Sequence, residues 1–190
     1  MRRALALMVA LATPSIGSAA TMAYHLSVTD PGGTSIASVR VGHPFKLRAY
    51  AEDLRAAPQG VFAAYLDVTF DSGVATATGP VVHSGTYPNG ASGSVAPGLV
   101  DEAGGFDGFT PLGGGSFLIF DVDFLATAAG SLTFASDPAD LLGSESLLFG
   151  VSSPVLPAEI TYGAVTVSVV DTIFADGFES GTLIWSSWTP

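Results

Sequence analysis

Cysteine is absent from this 190-residue chain. Disulfides, thiolate zinc sites, iron–sulfur clusters and cysteine nucleophiles are therefore excluded. Basic residues are scarce: six Lys and Arg face 17 Asp and Glu, for a net charge of −11. Such a chain repels phosphate backbones, which argues against nucleic-acid binding. The single lysine, Lys46, does not follow a glycine, so no phosphate-cradling Gly-Lys-Ser/Thr loop exists. His25, His43 and His83 form no His-x-His or His-x-x-x-His pair, and there is no Gly-x-Ser-x-Gly elbow. Helical periodicity is missing beyond the first twenty residues, and no later run approaches the ~18 apolar residues of a membrane span. Charged residues make 12% of the chain against 48% hydrophobic, the reverse of a disordered composition, so a packed core is expected.

What is present begins with an address. Arg2 and Arg3 precede the apolar run Ala4–Ala12, which Pro14 and Gly17 end. Ser18-Ala19-Ala20 then supplies the small residues of a cleavage site. Residues 1–20 read as a secretory signal peptide, too short to anchor as a membrane span. The expected product is a bacterial exported protein, secreted or held at the cell surface.

The body, residues 21–170, alternates. Phe62, Ala64, Leu66, Val68 and Phe70 are expected to face a core, with Ala63, Tyr65, Asp67 and Thr69 facing out. Leu118, Phe120, Val122 and Phe124 are expected inward, with Phe117, Asp121 and Asp123 outward. Phe45, Leu47, Ala49 and Ala51 alternate with Lys46, Arg48, Tyr50 and Glu52, and Val165, Val167 and Val169 with Thr166 and Ser168. Turn residues punctuate these runs: Asp30-Pro31-Gly32-Gly33, Asp71-Ser72-Gly73, Gly113-Gly114-Gly115 and Ala128-Ala129-Gly130. Glycine (23) and proline (12) are plentiful, as such punctuation requires. The expectation is an all-β, two-sheet antiparallel jelly-roll sandwich of about nine strands.

The order of these runs resembles the cohesin family. Gly60–Asp71 is similar to its signature of a glycine, an alternating strand and an aromatic-Asp end. Val41–Leu47 resembles the entry to an early cohesin strand. Phe117–Phe124 with Ala129–Leu132 resembles the long late strand and its successor, and Gly163–Val167 the closing strand. The resemblance spans about residues 24–170. It implies a nine-stranded jelly-roll sandwich related to cellulose-binding carbohydrate modules. It also implies a non-catalytic module that binds calcium-loaded dockerins and assembles extracellular polysaccharide-degrading complexes. The recognition surface it implies lies on one sheet and includes the outward residues of the Gly60–Phe70 run. Two outward positions there are usually Asn and Asp; this chain has Ala63 and Tyr65. Asp67, Asp121 and Asp123 are the acidic residues expected to complete a partner face.

Other residues offer candidate chemistry. Asp101, Glu102 and Asp107 lie within seven residues of a glycine-rich stretch, 101–108, read as a loop. Their oxygens suit a hard cation such as calcium, but a calcium site needs six or more ligands and three are in view, so a solvated loop is the favoured reading. No other cofactor is expected. Tyr50 and Tyr65, both expected outward, are the candidate sugar-stacking residues for an alternative reading as a polysaccharide-binding module; a structural cell-surface role is a further one. Residues 171–190 form a tail. Phe174-Ala175-Asp176-Gly177-Phe178-Glu179-Ser180-Gly181, with Trp185 and Trp188, resembles a short motif at the C-termini of many exported bacterial proteins.

Overall fold

A computed structural model describes residues 19–141 and 143–171. The expected leader and tail thus lie outside the described residues, apart from positions 19, 20 and 171. Alternation becomes strand: β1 (Met22–Thr29), β2 (Ser38–Arg40), β3 (Pro44–Asp53), β4 (Val61–Thr69), β5 (Ala75–Ala77), β6 (Val82–His83) and β7 (Asn89–Ala96). Then follow β8 (Leu99–Phe106), β9 (Ser116–Ala126), β10 (Gly130–Pro138), β11 (Leu147–Leu148), β12 (Ile160–Tyr162) and β13 (Ala164–Val170). The sandwich expected from sequence is the one observed, in thirteen strands rather than about nine because several runs are cut short or split. No helix among the described residues is long and apolar enough to cross a membrane.

One sheet runs β12-β1-β3-β9-β5, with β6 also pairing β9. The other runs β2-β13-β10-β4-β8-β7, with β11 also pairing β4. Pairing is antiparallel except at two edges, where β12 joins β1 and β2 joins β13 in parallel. Expected turns hold the connections: the Asp30 carboxylate accepts the Thr34 N–H (2.9 Å), and that of Asp71 accepts the Gly73 N–H (2.8 Å). The inward faces meet in one core, centred on Phe45, Phe70, Phe124 and Phe134 with ring centroids 5.0–6.3 Å apart. Each such ring pair adds about 1 kcal/mol beyond simple burial, which matters in a domain with no disulfide.

Two expectations change. A bulge sets Ala49 opposite Phe120 but Tyr50 opposite Leu118, leaving Ile119 as the extra residue. The extra residue inverts the alternation before it. Phe117, expected outward, packs against the core, Ile119 is fully buried, and Leu118 takes the outer side beside Tyr50. The second change is at 101–108. Pro97 and Gly98 (φ +85°) turn the chain into the β7–β8 hairpin, so most of the acidic stretch 101–108 is strand, not loop.

β3 ends on Asp53, whose side chain is fully buried. Arg55 grips it, Nε to Oδ1 at 2.9 Å and Nη2 to Oδ2 at 2.7 Å. The backbone N–H groups of Arg55, Gln59 and Gly60 donate to the same carboxylate at 3.0, 2.9 and 3.0 Å. Burial alone would raise this carboxyl. The guanidinium and the three N–H groups outweigh it and hold the pKa at about 2. Arg55 Nη2 also donates to the Phe149 carbonyl (3.0 Å), so one buried charge ties the β3–β4 connection to the segment after β11.

Candidate functional site: an acidic bulge on the β4–β8–β10 face

Successive residues of a regular strand point to opposite faces. Between β4 and β8 that rule is broken. Leu66 pairs with Ala103 and Val68 with Val100, so Asp101 and Glu102 together oppose the single residue Asp67. Glu102 absorbs the extra step at φ +52°, the one positive φ outside glycine among the described residues. The bulge brings carboxylate oxygens of Asp67, Asp101 and Glu102 to within 4.8 Å of one another. On the other side of β4, Asp137 of β10 stands in register with Asp67.

Hydrogen bonds fix this arrangement. The Glu102 N–H donates to Asp67 Oδ1 (2.8 Å), and Ser92 Oγ donates to the Glu102 carbonyl (2.8 Å). Glu102, only 5% exposed, accepts the N–H groups of Asp140 (2.6 Å) and Leu141 (2.8 Å) on Oε1. Burial pushes the Glu102 carboxyl up, but the Ser144 side chain and the N–H groups of Leu141 and Asp140 bring it below the ordinary value. Asp67 goes the other way. Burial raises it, the Glu102 N–H lowers it in part, and the charges of Glu102, Asp101 and Asp140 raise it further.

No ion pair among the described residues answers this charge. Among the described residues, the ion pairs of Lys46, Arg55 and His25 all lie elsewhere. Two like charges about 5 Å apart repel by about 3 kcal/mol at an effective dielectric near 20. A carboxyl whose folded pKa is raised costs stability above that pKa and costs nothing below its unfolded value. Asp67→Asn keeps the oxygen that accepts the Glu102 N–H and deletes the charge. In chelator at pH 7 it is expected to melt higher than wild type, with the gap closing as pH falls toward about 4 and gone below it. A lower melting temperature for the variant would contradict this account.

The structure separates the expected partner residues. Ala63, Tyr65 and Asp67 share one side of β4 in the second sheet, while Asp121 and Asp123 belong to β9 in the first. The five cannot form one surface. Asp121 and Asp123 are also occupied, holding Lys46 Nζ at 3.0 and 2.7 Å. Tyr65 points away from the core as expected, yet it is 7% exposed. Its ring lies over Gly104, where a Cβ would stand 2.7 Å from Tyr65 Cδ1, and its hydroxyl donates to the Gly90 carbonyl (2.9 Å). Tyr50 stands on β3 in the other sheet, so Tyr50 and Tyr65 make no common stacking strip. Asp107 lies past the end of β8, five residues and roughly 16 Å of strand from Glu102. Its carboxylate accepts the Gly108 N–H (2.6 Å), and Asp67 takes its place in the acidic group.

Asp137 and Asp140 are not legible in the sequence, because strand register brings Asp137 to Asp67 and the chain after β10 brings the Asp140 N–H to Glu102. Leu141, 62% exposed beside the patch, and Phe109, 97% exposed beyond β8, are not legible either.

No family model and no curated protein matches this sequence. Solved structures do match in fold. The seventh ScaB type I cohesin of Pseudobacteroides cellulosolvens aligns at a TM-score of 0.53 and 13% identity, over 80% of this chain and 96% of that one. The non-cellulosomal cohesin of Archaeoglobus fulgidus aligns at 0.49 and 16% identity, over 79% and 93%. The cohesin module of the Clostridium perfringens family 33 glycoside hydrolase aligns at 0.49 and 12%, over 78% and 97%. The architecture is thus a cohesin-like β-sandwich, and likeness at this identity speaks for fold alone.

Proposed function

We propose that this domain is a non-catalytic recognition module that binds a partner protein of the dockerin-like kind through the outer face of β4, β8 and β10. The leader expected from the sequence supports an encounter outside the cell. One observation carries the reading: Asp67, Asp101, Glu102, Asp137 and Asp140 converge on this face, and no ion pair among the described residues neutralises them. A protein needs no such concentration of charge for folding, since like charges at this spacing oppose it. A partner bearing basic side chains or bound calcium would relieve it, and complementary charge sets both orientation and rate of association. The β4 positions that are usually Asn and Asp in dockerin-binding members are Ala63 and Tyr65 here. Polar recognition therefore shifts along β4 to Asp67 and across to β10.

The test uses the immobilised chain against the secreted proteins of its own organism, with calcium and with chelator. Asp137→Lys is run beside wild type. Asp137 is exposed and makes no hydrogen bond that the fold depends on. Capture of one protein carrying duplicated Asp-rich calcium loops, at least tenfold reduced by the substitution, is expected. Capture unaffected by Asp137→Lys, or no capture at all, would sink the proposal.

A further inference from the structure

Three acidic residues at a bulge are not by themselves a metal site. The Glu102 side chain supplies the second observation. Its Oε1 is used by the N–H groups of Asp140 and Leu141, whereas Oε2 is buried without a hydrogen-bond partner. Ser144 stands near this carboxylate but gives Oε2 no hydrogen bond. An ionised carboxylate oxygen held dry and unpartnered is expensive unless a cation meets it. We propose that Asp67, Asp101 and Glu102 bind a calcium ion in the β4–β8 bulge.

The geometry and the donor set both favour this ion. Calcium holds oxygens at 2.3–2.6 Å, so two ligands of one ion can stand up to about 5 Å apart. The three carboxylates fall inside that span, within 4.8 Å of each other. All donors are oxygen, which suits calcium and not zinc, whose sites favour nitrogen and sulfur. Three negative charges match a hard divalent ion. Water can complete the shell. A bound ion would clamp the bulge to the segment that follows β10, through Glu102 and the N–H groups of Asp140 and Leu141. The proposal stands apart from the partner reading, because it needs only the purified chain.

The experiment is calcium titration calorimetry and thermal melting of the full chain, with chelator, calcium, magnesium or sodium at matched ionic strength. One calcium per chain is expected, with a melting temperature at least about 5 °C higher at saturating calcium than in chelator. Magnesium and sodium are expected to give less. Asp101→Asn removes one ligand from a half-buried position that makes a single 3.5 Å contact, with Ser94 Oγ, and so leaves the fold intact. Its melting in chelator checks that directly. The variant should bind calcium at least tenfold more weakly and lose the shift. A wild type indifferent to calcium, an equal shift with magnesium, or an unchanged calcium response in Asp101→Asn would each overturn the assignment.

Discussion

Replacing Asp53 by alanine is expected to cost about 3–5 kcal/mol, the range for breaking a buried ion pair from one side. The reason is the number of groups left behind. Arg55 loses both oxygens of its fork, and three backbone N–H groups, on Arg55, Gln59 and Gly60, lose their acceptor together. The Arg55 bond to the Phe149 carbonyl weakens with them, so the loss spreads from the β3–β4 connection to the segment after β11. Against a typical total of 5–15 kcal/mol this is a large share, read in urea unfolding as a midpoint shift at unchanged slope. The pH dependence has a definite sign. The folded pKa, about 2, lies below the ordinary value of 3.8. This stabilisation is therefore complete above about pH 4 and is lost as pH falls through 2. The alanine variant should lack that increment of acid sensitivity. A loss below 1 kcal/mol would mean that the connection is held by something other than Asp53.

Gly104→Ala is expected to be as damaging, by a different route. A Cβ at 104 would stand 2.0 Å from the Ala64 carbonyl oxygen and 2.7 Å from Tyr65 Cα. Both are backbone atoms of the paired strand and cannot rotate away. Relief requires β4 and β8 to separate where Tyr65 faces Gly104, which loosens the Tyr65 ring and the adjoining bulge. Overpacking of a well-filled site costs 1–3 kcal/mol and occasionally more; with backbone on both sides, about 3 kcal/mol or greater is expected here. Gly85→Ala is the control, since nothing lies within 4 Å of its Cβ position. Denaturant melts of the two should differ widely, and equal stabilities would refute the steric account.

Much of the sandwich was legible because alternation has a single cause. Leu47, Ala49 and Ala51, like Ala64, Leu66 and Val68, are buried on one side since a strand offers no other way to cover them. The failures are places where one extra residue enters a strand. Ile119 inverted the faces of Phe117 and Leu118, and the doubled position Asp101–Glu102 made a strand look like a loop. Nothing in composition marks a bulge, because the insertion is defined by the partner strand. The glycines of β8 misled for a related reason. Gly104 and Gly105 are needed for close approach to Tyr65 and to the Tyr87 carbonyl, not for a turn. The acidic patch was half legible. Asp67, Asp101 and Glu102 were each singled out, but in different groups, because the bond from Glu102 to Asp67 spans 35 residues of sequence. Tyr65 shows the remaining gap: alternation gives the side a residue takes, and only its neighbours decide whether that side is open.

The two parallel edges bear on how the chain reaches this state. β1 joins β12 and β2 joins β13, so the earliest strands wait for the last before either sheet is complete. Closing loops almost as long as the domain is entropically slow. Folding therefore cannot finish on a growing chain before the final strand emerges. A polypeptide that stays open until then leaves its first strands unpaired for as long as the rest is being made.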